Sequence, residues 1–590
     1  MLKTLAAQIK QYKWSALLTP VFAAAEVFME VLIPYTIASL IDKGISAGSM
    51  PQVWKYGLIM VGLALLSLLF GVLAAHFASK ASTGFAANLR SAMYTNIQTF
   101  SFANIDKFST AGLITRMTTD VTNIQNAFGM LMRIAVRAPL TLISSMVMSF
   151  VISPELSMIF MAGVAVLAVA LSIIIKHATH WFHEVFENFD HLNASLQENI
   201  SAIRVVKAFV REKHEMGKFS KAAEKVFKLF MKAEKIVILN HPVMMLVVYA
   251  SIITLSWLGA HFVVGSQLTT GQLTSMFSYV MSVLGSLMML SMIFVSMMMS
   301  VASARRISEV LNEKPTLTDP EKPLEDVKDG SIEFDHVTFT YHAEGSGEAV
   351  LRDVNLKIHS GETIGVIGGT GCGKSTLVSL ISRLYDVTDG AVRVGGKDVR
   401  AYDMEALRNQ VAVVLQKNVL FSGTVIENLR WGKEDATEDE CREACRQACA
   451  DEFIERMPDG YNTRVEQGGA NFSGGQKQRL CIARALLKKP RVLILDDSTS
   501  AVDTATDAKI RRAFAAKIPG TTKIIIAQRI ASVQDADRII VMEDGRVAAF
   551  DTHERLLETS DLYREIYETQ TSGSGDFDSP DQLKEEGAAL

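Results

Sequence analysis

The chain divides by pattern before any motif is read. Through about residue 305, apolar positions run in six long stretches, with approximate limits 14–41, 54–79, 130–152, 156–175, 237–264 and 273–301. Most reach or exceed the roughly 20 residues a helix needs to cross a bilayer. Beyond about residue 330 the pattern changes. Short β-rich apolar runs at 363–367, 411–415, 492–495 and 523–527 alternate with segments that read as helix, such as 377–385. That alternation predicts an α/β domain. The stretch 306–330 is charged and carries Pro315, Pro320 and Pro323, as a linker does. The expected layout is therefore a membrane domain over 1–305, a linker over 306–330, an α/β domain over 331–570 and a disordered tail over 571–590.

The connections between the apolar stretches fix an expected orientation. Segments 42–53, 153–155 and 265–272 are short and hold a single basic residue, Lys43. Segments 80–129 and 176–236 are long and rich in Lys and Arg. By the positive-inside rule, the long segments and both termini are expected in the cytoplasm. Their helical pattern predicts that membrane helices continue well beyond the bilayer. Lys3, Lys10 and Lys13 precede the first stretch as in a signal peptide. Its apolar run exceeds the roughly 7–15 residues of a signal core, so a retained span is expected.

Composition adds a few limits. The 590 residues are 49% hydrophobic with a net charge of −4, and no basic stripe of the kind that binds nucleic acid is evident. All five cysteines, Cys372, Cys441, Cys445, Cys449 and Cys481, lie in the second half. An odd count confined to one half argues against a disulfide framework and for a reducing compartment. Cys441, Cys445 and Cys449 recur every fourth residue without an accompanying His, which predicts small buried side chains rather than a metal site.

Within the apolar stretches, Glu26 and Glu30 share one helix face, as do Arg133 and Arg137. Charge at membrane depth is costly unless it meets a partner or a cavity. These four residues are candidates either for a polar substrate path or for structural ion pairs. The last stretch is rich in methionine, including Met288 and Met292, and flexible thioethers suit a surface that accommodates varied ligands.

The chemistry concentrates in Gly368-Gly369-Thr370-Gly371-Cys372-Gly373-Lys374-Ser375, followed by Thr376. A buried strand before it and a helix after it supply the context that a phosphate-binding loop requires. Glycines let backbone N–H groups converge on phosphate oxygens at a positive helix N-terminus. Lys374 is then placed for the terminal phosphates of ATP and the Ser375 hydroxyl for Mg²⁺.

At this point the chain resembles the ABC transporters, specifically a half-transporter of the exporter type, and the resemblance covers nearly all of it. It implies an all-α six-helix membrane domain followed by an α/β nucleotide-binding domain. It also implies roles. Tyr341 matches the aromatic that stacks on adenine, Gln416 a glutamine that contacts Mg²⁺, and Asp496 the aspartate that orients the metal. Asn471-Phe472-Ser473-Gly474-Gly475-Gln476 matches the loop that completes a partner subunit's ATP site. Ser500-Ala501-Val502-Asp503 matches the loop that links the two sites. Segments 105–114 and 198–209 lie where the family places its coupling helices. The implied setting is a multi-pass protein of the cytoplasmic membrane, working beside a second half-transporter on small amphipathic substrates.

Two positions depart from the family pattern. Asp497 stands where the family has a glutamate, and Gln528 where it has a histidine. Shortening the carboxylate by one methylene withdraws it by about 1.5 Å, one carbon–carbon bond. Glutamine can hydrogen-bond but cannot become a cation. Together they predict a degenerate ATP site in this chain. The intact Ser473–Gln476 loop would then serve a competent site shared with a different partner chain. A dedicated lipid or peptide exporter, and an ATP-gated regulatory membrane protein, are the competing expectations.

Overall fold

The computed structural model describes residues 1–341, 347–497 and 504–572. The chain forms two compact units, Met1–Thr99 with Ser109–Glu313, and Phe100–Phe108 with Lys314–Leu590.

In the first unit, among the described residues, six helical rods are long and apolar enough to cross a membrane, spanning Leu2–Ile45, Met50–Gln98, Thr110–Ile152, Pro154–Ser201, Glu212–Val264 and Thr270–Leu290, which opens a longer last helix. At 1.5 Å per residue the 49-residue second helix is roughly 70 Å long, more than twice a hydrocarbon core of about 30 Å. The last helix, Thr270–Asn312, continues seven residues past the expected exit at 305. It does so because Arg306 and Ser303 reach the buried Asp120 carboxylate, at 2.7 Å from Nε and 2.8 Å from Oγ, and Arg116 pairs with Glu309 at 3.0 Å.

The ends of these helices follow from local chemistry. Ser153 accepts the Leu156 N–H ahead of Pro154, which sits where no helical N–H is needed. Thr269 and Gln272 form a reciprocal cap on the last helix. Asp42 accepts from the Thr269 hydroxyl at 2.6 Å and from the Gly271 N–H at 3.0 Å, tying the end of the first rod to the start of the sixth. Pro20 and Pro34 lie inside the first helix. Near Pro34, the carbonyls of Val31 and Pro34 take hydroxyl donors from Tyr279 and Ser275. These bonds join the last helix to the first.

Among its described residues the second unit holds twelve strands, numbered in chain order. β1 (Ile332–Phe339), β2 (Leu351–Ile358), β4 (Asp389–Val394) and β5 (Lys397–Asp398) make an antiparallel sheet in the order β2-β1-β4-β5. β3 (Thr363–Gly368), β6 (Val411–Val414), β9 (Val492–Asp496), β10 (Thr522–Ile526), β11 (Arg538–Glu543) and β12 (Arg546–Asp551) make the main sheet, ordered β12-β11-β3-β10-β9-β6. It is parallel except for the β11–β12 edge. β7 (Gly423–Thr424) and β8 (Arg464–Val465) form a small antiparallel pair. β9 and β10 are buried along their whole length, as inner strands covered on both faces must be. One core joins β1, β2 and β4 to the helix after β3, and a second packs helices such as Gly474–Leu487 against the sheet.

Cys441 and Cys445 are buried on the helix Glu438–Gln447, and Cys449 lies buried just beyond it. Burial pushes the Cys445 thiol up to about 12, so it packs as an apolar group. The segment Phe100–Phe108 belongs to this unit. Asn104 caps Ser101, accepts the Thr316 N–H and donates to the Lys314 carbonyl, while Asp106 accepts from the Tyr385 hydroxyl at 2.8 Å. The short helix here is Phe102–Phe108, and Ser109 (φ +54°) breaks it and caps a second one, Thr110–Thr115. The expected single coupling helix over 105–114 is thus two helices in different units. In the other expected coupling segment, the helix Pro154–Ser201 ends and a short one, Ile203–Ala208, follows.

Candidate functional site

Four parallel strands, β3, β6, β9 and β10, run in one direction, and their carboxyl ends form one edge. In open α/β sheets that edge is where ligands bind. Gly368 to Ser375 leaves β3, Gln416 follows β6, Asp496 and Asp497 end β9, and Gln528 follows β10. Positions up to 160 residues apart are brought together by topology alone.

The loop after β3 is shaped by its glycines. Gly368, Gly371 and Gly373 have φ of +152°, +84° and +97°, conformations that other residues rarely adopt. A Cβ at Gly368 would collide with the Met542 carbonyl oxygen of β11. At Gly369 and Gly371 a Cβ would meet nothing within 4 Å, so the backbone there lies open on one side. The helix begins at Lys374, three residues earlier than expected, because Gly373 turns the chain directly into it. Open glycine backbone ahead of a helix N-terminus is a cradle that fits a phosphate chain.

Lys374 Nζ donates to the carbonyls of Gly368 and Gly369 at 2.8 and 2.7 Å, which holds its charge over the loop. Ser375 Oγ donates to Asp496 Oδ1 at 3.0 Å. Asp496 is buried, and burial is the main cause that holds its carboxyl above the usual carboxylate range, while the Ser375 hydrogen bond and the Lys374 charge oppose it. A buried carboxylate beside a hydroxyl suits a hard divalent cation, which would supply the missing countercharge. Thr376 follows on the same helix, its hydroxyl 2.9 Å from that of Tyr341. The half-exposed Tyr341 ring stands edge-on to Phe339 and Tyr385, at 4.9 and 5.2 Å between centroids. Cys372 is buried under the loop, its sulfur 3.8 Å from Lys374 Nζ.

The other half of the edge is organised around Asp497, whose left-handed backbone (φ +47°) ends β9. One of its oxygens accepts from Gln528 Nε2 at 2.8 Å and, more loosely, from Gln416 Nε2 at 3.4 Å. Gln528 is itself anchored. Gln570, on the helix Asp561–Ser572, donates to the Gln528 carbonyl at 2.9 Å and accepts the Ile530 N–H at 2.8 Å. Sequence reasoning missed Gln570, which stands 42 residues away and carries no motif. It also missed the contact of Tyr385 with Asp106, which continues an aromatic cluster from Tyr341 to the 100–108 segment.

Ser473 to Gln476 opens the helix Gly474–Leu487 with a reciprocal cap. Ser473 Oγ accepts the Gln476 N–H, and Gln476 Oε1 accepts the Ser473 N–H at 2.8 Å. Phe472 is buried against Phe453 and anchors the turn, while Ser473 and Gly474 are exposed. The result is an exposed helix N-terminus of the kind that binds anions. The linking loop Ser500–Asp503 and the tail beyond 572 lie outside the described residues.

In the first unit, Arg137 bridges the two acidic residues, with Nη1 2.8 Å from Glu26 and Nη2 2.7 Å from Glu30. Arg133, Arg137 and Met292 line a cavity of about 540 Å³, together with Met289 from the last helix. Glu26, Glu30 and Met288 are not among its lining residues. The methionine pattern alone could not set the rotation of that helix, which brings Met289 rather than Met288 to the cavity.

Comparison with known proteins agrees with this architecture. The family description "ABC transporter transmembrane region" matches residues 17–288, and "ABC transporter" matches residues 351–500. The chain is 36% identical over 567 residues to an uncharacterised ABC transporter ATP-binding protein of Bacillus subtilis, covering 96% of this chain and 98% of that one. It is 33% identical over 471 residues to the probable multidrug resistance ABC transporter ATP-binding/permease protein YheI of the same organism, covering 78% and 79%. In fold it is like a bacterial Atm1-family ABC exporter solved with ATP bound, with a TM-score of 0.81, 24% identity and coverage of 96% and 99%. Six apolar rods and one nucleotide-binding domain in a single polypeptide, matched along nearly their whole length, place this chain in the ABC transporter family as a multi-pass half-transporter with the exporter fold.

Proposed function

We propose that this chain is one subunit of an ATP-driven exporter of amphipathic or hydrophobic compounds, paired with a second, non-identical half-transporter. Its own nucleotide site is degenerate, and its Ser473–Gln476 loop completes a competent site whose glutamate and histidine come from the partner. The membrane is the cytoplasmic one, with both termini and the nucleotide domain in the cytoplasm. The multidrug name of a relative at 33% identity supports the substrate class.

One observation carries the degenerate reading. The Asp497 carboxylate is a methylene short and is engaged by the amides of Gln528 and Gln416. A general base must come within hydrogen-bond reach of the water it activates. An acceptor oxygen already taking two amide donors is not free to meet that water. Gln528 can donate to a terminal phosphate but adds no positive charge there.

The residues divide the work accordingly. The open backbone at Gly369 and Gly371, with Lys374, holds the phosphates, and Thr376 fixes the helix turn beneath them through Tyr341. Ser375 and Asp496, with Gln416, would hold Mg²⁺, which when bound neutralises phosphate charge. The Tyr341 ring offers a half-exposed face to adenine. The Tyr385–Asp106 contact would link this cluster to the segment between the second and third membrane helices.

The test is ATP turnover by the full chain purified alone and with candidate partner chains. Negligible turnover alone and brisk turnover in one pairing is the expected result. Brisk hydrolysis by the chain alone would overturn the heterodimer.

A further inference from the structure

The two arginines of the third membrane helix are not equivalent. Both line the cavity of about 540 Å³. Arg137 meets the carboxylates of Glu26 and Glu30 through both terminal nitrogens. Arg133, one turn earlier on the same face, has no hydrogen bond or ion pair with any described residue of the chain. An unpaired guanidinium in an apolar stretch is expensive unless something completes it.

The rest of the wall indicates what does. Ala75, Ala78, Ile134, Met289, Met292 and Ile293 make an apolar surface beside the guanidinium, and the volume suits a drug-sized molecule, for which pockets run about 300–1,000 Å³. Three flexible thioethers, of Met130, Met289 and Met292, can follow a chain or a ring. The guanidinium fork matches the paired oxygens of a carboxylate or phosphate. Glu26 and Glu30 are not among the lining residues, and both are hydrogen-bonded by Arg137.

Resting on the exporter reading, we infer that this cavity selects an anionic amphiphile, with Arg133 binding its carboxylate or phosphate head and the Met289–Met292 wall its apolar body. A positively charged amphiphile of the same length is repelled by the same group.

The test uses the full-length chain with its partner in nanodiscs of uncharged lipid, titrated with dodecyl phosphate, dodecyl maltoside and dodecyltrimethylammonium. Dodecyl phosphate is expected to bind about tenfold more tightly than the trimethylammonium compound. Arg133→Gln should abolish that preference, and Arg133→Lys, which keeps the charge but loses the fork, should retain part of it. Equal affinity for anion and cation in the unaltered protein would overturn the inference. So would an unchanged preference in a well-folded Arg133→Gln complex, because the selectivity would then come from another group. ATP-dependent uptake of the same compounds into inside-out vesicles separates this from the broader reading. Uptake without charge preference defeats only the inference, while anion binding without any uptake defeats only the exporter.

Discussion

The nucleotide edge of the main sheet carries two kinds of site side by side. Around β3, every feature is arranged for holding phosphate: glycines at positive φ, open backbone, a lysine folded over the loop, and a serine joined to Asp496. One strand away, at the ends of β9 and β10, the groups that should act on water hydrogen-bond one another. The Gln528 amide donates to the Asp497 carboxylate at 2.8 Å, so the two side chains are closed on each other. On the proposed reading, binding and hydrolysis are separable within one sheet. Retaining the first without the second is what a subunit needs if its role is to hold ATP and to lend a loop elsewhere.

The sharpest way to break this contrast is to repair the weaker half. Asp497→Glu together with Gln528→His restores a carboxylate of full reach and a group that can carry charge. General-base catalysis is worth about 10²–10⁴-fold, so turnover at this site should rise on the order of 100-fold, with ATP affinity little altered. Stopped single-turnover measurements on the complex check it, after the partner's own glutamate has been changed to glutamine. No gain in the rate would mean that something besides these two residues disables the edge.

The complementary experiment damages the stronger half. Lys374→Ala removes a charge-assisted contact worth about 2 kcal/mol, which corresponds to roughly 30-fold in Kd for ATP. A fluorescent ATP analogue titrated into the full complex reads this directly. The turnover of the repaired site, measured at saturating ATP, should fall much less. An unchanged Kd would show that the loop glycines hold the nucleotide without the lysine.

The stronger half was largely legible in the sequence, and the reason is physical. A phosphate loop is a local object, with strand, glycines, lysine and helix contiguous within about a dozen residues, so spacing alone describes it. Even there the helix start was read three residues late, since Gly373 turns into it more tightly than the apolar pattern reveals. Asp497 and Gln528 were recognisable as departures, but their mutual hydrogen bond depends on β9 and β10 being neighbours. The membrane half shows the same division. Shared faces for Glu26 with Glu30, and for Arg133 with Arg137, follow from helical period. Which arginine the acids would claim does not, because it rests on the packing of the first helix against the third. For the same reason the pattern does not reveal that Met289, beside Met292, lines the cavity, and Ser109 breaks the 105–114 segment into two helices without any proline or glycine to announce the break.

The smallest expected effect lies where sequence reading saw nothing. Gln570 hydrogen-bonds Gln528 and Ile530 through their backbone, so on the proposed reading it positions the loop after β10. Each neutral hydrogen bond contributes about 1 kcal/mol, and a loop that loses both anchors samples other positions. In the Asp497→Glu, Gln528→His background, Gln570→Ala should lower kcat about fivefold and leave the Kd for ATP unchanged. Gln570→Glu keeps the acceptor for Ile530 and loses the donor to Gln528, so it should fall between the two. A purely structural role would instead lower the melting temperature without this graded loss of kcat. Because ATP binding depends on the β3 loop and this effect acts only through β10, a change in Kd as large as the change in kcat would show that the two halves of the edge are not independent.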